Sequence, residues 1–193
     1  PLGLRHLALV DVVGGQELGH AEIGAHRPLA IGRDKDDRAR GRQHLARHPR
    51  DRILLRTPAQ IQAASDRQLR QWLDADAVLA VSAFGDPARR LIDAIPASRA
   101  STVLAINGEQ RLNLLSRSKA GALGSFPAET LRQLTAEIPP QDALDAAAAA
   151  PAARQWLDAR RTWQAGGSDN LGRLFKHLLA GSPLPPPDRK SVV

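Results

Sequence analysis

Two continuous apolar runs, residues 77–82 (AVLAVS) and 102–106 (TVLAI), constrain this chain more than any other feature. Each has the length of a strand, and neither alternates with polar residues, as expected of strands covered on both faces. Between them Pro87 opens a helical stretch with Ala88, Leu91, Ile92 and Ile95 on one side, which ends before Pro96. Asn107-Gly108 then makes a turn, and Leu112, Leu114 and Leu115 follow in helical text. Strand, helix, strand, helix in so short a span is a parallel βαβ unit with a right-handed crossover. A third strand is expected at 53–56, where ILLRT precedes a helix opened by Thr57-Pro58. That helix takes Ile61, Leu69, Trp72 and Leu73 as its apolar face, with a break and fresh cap at Ser65-Asp66. The fold class is therefore α/β, a small parallel Rossmann-like sheet followed by a helical segment.

The helical segment covers 127–181. Leu131, Leu134 and Ile138 line one side of a helix stopped by Pro139-Pro140, and an alanine-dominated helix covers 142–150. Pro151 starts another, in which Trp156 and Trp163 lie one heptad apart and read as core. The stretch 163–181 (WQAGGSDNLGRLFKHLLAG) closes the unit. Gly166-Gly167 breaks the preceding helix, and Ser168 or Asp169 is expected to cap the next. Leu171, Leu174, Phe175, Leu178 and Leu179 form one apolar stripe, while Arg173, Lys176 and His177 fall outside it. His177, near the helix end, reads as a solvated or capping residue. Gly181 and Pro183 end the helix.

Residues 1–50 read differently: five of the six histidines stand there in an Arg, Gly and His background, and only 7–13 (LALVDVV) looks like a strand. This segment is expected to be poorly packed, disordered or non-native, resembling a GC-rich gene translated out of frame, with the α/β domain occupying 53–181. The Pro-rich tail 182–193, ending DRKSVV, reads as artefactual. His44 and His48 have the spacing of two metal ligands on a helix, but Pro49 and the neighbouring arginines speak against a helix or a cation there.

The net charge of +7 raises the question of a polyanionic partner. Arginine supplies 23 of the 27 basic residues, scattered among acids without interleaved aromatics, so no nucleic-acid role is assigned. There is no cysteine, hence no disulfide framework and no thiolate metal site. No run approaches a membrane span and no signal peptide is visible. A cytoplasmic location is expected, and a signal sequence ahead of Pro1 stays open.

Three word groups, ADAVLAVSAFGDPARRLID, VLAINGEQRLNLLSRS and WLDARRTWQAGGSDNLGRLFKHLL, are similar to the N-terminal part of the cobaltochelatase large subunit (CobN) and magnesium chelatase H subunit family. The third is the most specific, an aromatic followed by Gly-Gly, an acid and Asn, and then an amphipathic helix. The resemblance covers 53–181. It implies part of an ATP-dependent tetrapyrrole metal chelatase that inserts cobalt in cobalamin biosynthesis, a ligase in which AAA+ chelatase subunits hydrolyse ATP. It also implies a corrinoid or porphyrin substrate, with the chelation residues downstream of this chain.

No catalytic set and no metal ligands are assigned within the chain. The loops after the two apolar runs, Phe84-Gly85-Asp86 and Asn107-Gly108-Glu109, lie where ligands gather in α/β sheets, making Asp86, Asn107 and Glu109 the candidate binding residues. Neither loop carries a phosphate-cradling glycine pattern. Two other roles stay open: a stand-alone small-molecule binding module, or a protein-interaction domain with a patch around Trp156 and Trp163.

Overall fold

The computed structural model describes residues 5–11, 51–181 and 184–185. Four parallel strands, β1 (Arg5–Asp11), β2 (Asp51–Arg56), β3 (Ala77–Val81) and β4 (Thr102–Ile106), stand in the order β2-β1-β3-β4. Two short antiparallel strands, β5 (Arg117–Ser118) and β6 (Gly121–Ala122), extend the β4 edge. The helices are α1 (Pro58–Ala63), α2 (Asp66–Leu73), α3 (Gly85–Ala94), α4 (Gln110–Asn113), α5 (Ala128–Leu134), α6 (Gln141–Ala149), α7 (Pro151–Ala165) and α8 (Ser168–Ala180).

Side-chain alternation splits the apolar strands between two cores. Val78, Ala80, Val103 and Ala105 face Ile61, Leu69, Leu73, Leu91 and Ile95 of the earlier helices. Leu7, Leu79, Val81, Leu104 and Ile106 face Leu131, Trp156, Trp163, Leu174 and Phe175 on the other side. The continuous apolar text of β3 and β4 thus follows from helices on both faces, and the α/β sheet with flanking helices is as the sequence indicates.

The break at Ser65-Asp66 is real. Thr57 with Gln60, and Ser65 with Gln68, form two successive capping boxes, so a second helix starts afresh after the first. At the other end of the chain, the α8 stripe is buried as expected, with Leu174 at 0% and Phe175 at 6% exposure.

Four details depart from the expectation. First, the segment ahead of residue 53 is not wholly apart from the core: β1 sits between β2 and β3, and Leu7 is fully buried. The domain therefore includes 5–11; the remaining expectations for 1–4 and 12–50, and those for 182–183 and 186–193, Pro183 included, lie outside the described residues. Second, the text after Asn107 supports only the one-turn α4 before the β5–β6 hairpin, because Ser116 Oγ donates to the Ala105 carbonyl and accepts from the Ala105 amide, drawing the chain back to the β4 edge.

Third, α5 stops at Leu134, leaving Ile138 87% exposed instead of on the apolar face. The Leu134 and Thr135 carbonyls at that end accept from Arg160, and Thr135 Oγ1 donates back to the Arg132 carbonyl, so the last turn is closed off locally. Fourth, α8 begins at Ser168 with Gly167 as its N-cap, so Ser168 and Asp169 lie inside the helix. Gly166 (φ 63°) and Gly167 (φ 77°) both hold conformations unsuited to side chains, and buried Asn170 donates its amide to the Gly166 carbonyl at 2.8 Å. Gly166, Gly167 and Asn170 are thus tied to the geometry of the α7–α8 turn.

Candidate functional site

The order β2-β1-β3-β4 reverses direction at β1, which places a topological switch at the carboxyl ends of β1 and β3. The three predicted residues lie along this edge. Ser82 and Asn107, each one step past its strand, hold left-handed φ values of 51° and 54°. Such backbone is costly for non-glycine residues and turns both chains sharply out of the sheet.

The two loops are stapled together. The Glu109 amide donates to the Ala83 carbonyl at 2.9 Å, and the Glu109 carboxylate accepts from the Gly85 amide at 2.8 Å, capping α3 from another loop. Gly108 fits between them because a Cβ there would stand 2.8 Å from the Ala83 carbonyl oxygen. Asp86 turns outward to an exposed pair with Arg89 at 2.6 Å. Asn107 Oδ1 accepts from Arg160 Nε at 3.0 Å. The structure therefore brings Asn107 and Glu109 together with the Ala83–Gly85 backbone and leaves Asp86 apart. The groups brought together are occupied in holding the edge, and they form no nucleophile–base pair.

Arg160 was not visible as special in the sequence. It is 9% exposed, and its three hydrogen bonds go to Asn107 Oδ1 and to the Leu134 and Thr135 carbonyls, all neutral. Burial lowers its pKa, with the nearby Arg161 charge adding to the effect. Beside it, Asn113 Nδ2 donates to the Gly108 carbonyl, while its buried Oδ1 finds no hydrogen-bond partner.

A second site opens at the opposite edge of the sheet. A cleft of about 470 Å³ lies at the start of β4, between the β5–β6 hairpin, the first turns of α7 and the end of α8. His177 is 9% exposed, not solvated as its position outside the α8 stripe suggested. Its ring meets Gln155 of α7, with Nε2 2.6 Å from the Gln155 amide nitrogen, and Ser118 Oγ donates to Gln155 Oε1. Asp158, one turn beyond Gln155, has its carboxyl pKa raised by burial, against the pull of Arg161, Arg154 and His177. The only sequence signal for this cluster is a helical one, Gln155 and Asp158 being three apart on α7 and so neighbours on one face.

Among the described residues, no three His, Asp or Glu side chains converge as a metal-ligand set, and no helix is long and apolar enough to cross a membrane. No protein-family model matches the chain, and no curated protein matches it significantly.

Proposed function

We propose that this chain is a portion of the large subunit of an ATP-dependent tetrapyrrole metal chelatase, of the type that inserts cobalt in cobalamin biosynthesis. Its α/β domain is the platform on which the parts that hold tetrapyrrole and metal are mounted. The observation that supports this reading is the α7–α8 turn. Several of the residues that resemble the chelatase family there have a part in the fold, namely Trp163 in the core, two glycines at positive φ, and buried Asn170 bonded back to the turn. In this role the domain contributes packing and placement. The AAA+ subunits, working in the cytoplasm, supply ATP hydrolysis, and the cobalt and corrinoid are substrates of the complete enzyme.

The physical need for ATP is plain. Cobalt must shed water, and the macrocycle must give up its inner N–H protons, two in a porphyrin and one in a corrin, and distort before its four nitrogens can close on the ion. The test is to express the continuous reading frame that carries this domain and mix it with AAA+ chelatase subunits, ATP, Co²⁺ and a metal-free corrinoid. ATP-dependent cobalt insertion, read from the corrinoid absorption spectrum, is expected. A frame whose product neither binds corrinoid nor supports insertion would refute the proposal.

A second reading, a small-molecule binding module, is favoured by the cleft beside His177, whose volume falls in the range of ligand pockets. Ligand binding by the isolated chain, without partner subunits, distinguishes it.

A further inference from the structure

The cleft at the amino end of β4 has a wall chemistry that selects one kind of ligand. Its apolar wall comes from Leu178, Leu179 and Leu184. Its floor carries the buried His177 ring and the Gln155 amide, a fixed polar pair instead of more core. Two cations stand at the rim, Lys119 from the β5–β6 turn and Arg154 from the first turns of α7, and neither is ion-paired among the described residues.

The Lys119 side chain lies alongside the carboxyl end of α8, where a Cβ placed on Gly181 would stand 3.5 Å from its nitrogen. Against these two charges the cleft offers a single acid, Asp158. Two cations against one carboxylate leave the cleft lining with an excess of positive charge. No motif marks the site in the sequence, because its parts come from the hairpin, α7, α8 and the residue Leu184 beyond it.

We infer that this cleft binds a small amphiphilic anion, a carboxylate, phosphate or sulfonate held between Lys119 and Arg154 with an apolar body laid along Leu178, Leu179 and Leu184. The cleft lies at the opposite edge of the sheet from Asn107 and Glu109. The inference stands whether the domain works within a chelatase or alone.

The test uses the full chain and two fluorescent probes with closely related rings. One is 1-anilinonaphthalene-8-sulfonate, and the other is N-phenyl-1-naphthylamine, which lacks the sulfonate. Saturable binding of the sulfonate at one site is expected, with the neutral compound at least about ten-fold weaker, the size of one or two charge-assisted contacts. Replacing both rim cations, Lys119→Ala with Arg154→Ala, should weaken the sulfonate by at least about ten-fold and leave the neutral probe unchanged. A control with Arg67→Ala and Arg70→Ala, exposed cations lining a separate cleft, should leave both unchanged. Equal affinity for the two probes overturns the inference, as does an equal loss in the control or no saturable binding. Since all four substituted side chains are on or near the surface, an unchanged Tm is expected, and the comparison of the two probes on the unaltered chain decides the charge requirement by itself.

Discussion

Phe175→Ala is the perturbation that most directly tests how the closing helix is held. Phe175 is 6% exposed and belongs to the core formed by Leu7, Leu79, Trp156, Leu174 and Leu178. Truncation removes the transfer energy of the ring and leaves a cavity that the neighbouring tryptophans and leucines can fill only in part, about 3 to 5 kcal/mol. For a chain of this size each kcal/mol moves the melting temperature by about 2 to 4 °C, so a drop of about 6 to 20 °C is expected. The next residue provides the internal standard. Lys176 is exposed, and Lys176→Ala should cost under about 0.5 kcal/mol. Thermal and urea unfolding followed by tryptophan fluorescence reads both, with Trp156 and Trp163 reporting on this core. A shift of under about 2 °C for Phe175→Ala, or equal losses for the two variants, would refute the packing assigned to α8. On the chelatase reading, the complete enzyme carrying Phe175→Ala loses folded protein but keeps the tetrapyrrole affinity of the surviving fraction; a selective loss of affinity at normal stability would place α8 in the binding site.

Removing β1 gives the next test: deletion of residues 1–11, or Leu7→Asp, should abolish cooperative unfolding, because it strips a strand paired on both sides; an unchanged melting transition would contradict the pairing. Gly166→Ala should cost about 1 to 3 kcal/mol, as its φ of 63° with ψ of −161° excludes a side chain, and a neutral effect in urea unfolding would count against the turn geometry. Asp158→Asn tests the raised carboxyl pKa. The folded state holds its proton to higher pH than the unfolded state, so stability is lost as pH rises from the unfolded value of about 3.9 through the folded one. The asparagine variant should therefore gain melting temperature relative to the parent at pH 7 and lose that advantage below about pH 4. An advantage that grows on acidification would reverse the sign.

How much was legible in the sequence follows from range. The strands β3 and β4, the capping boxes of α1 and α2, and the α8 stripe are written in residues within a few positions of one another, and each stands close to where periodicity put it. The apolar run at 7–13 reads as a strand, and β1 stands at Arg5–Asp11, but the patternless text around it gives no sign that it pairs at the centre of the sheet. Ile138 looked like a helix face because the pattern cannot know that a distant guanidinium takes the carbonyls at that helix end. Both polar clusters are long-range: Arg160 with Asn107, and Gln155 with Ser118 and His177, come from separate elements. Asp86, Asn107 and Glu109 were found from strand topology, and the structure turns two of them to holding the loops and one to solvent.

The position of β1 also decides the order in which this domain can assemble. During synthesis β1 leaves the ribosome ahead of both its partners, and its exposed edges wait for β2 and β3, each dozens of residues later in the chain. Every stable intermediate must either carry an unpaired apolar strand or postpone it until β3 has arrived, so folding is governed by long loop closures, slow for the size of the domain. An unpaired β1 edge is a template for another chain, which makes crowded synthesis, not the finished fold, the moment when this protein is most exposed to aggregation.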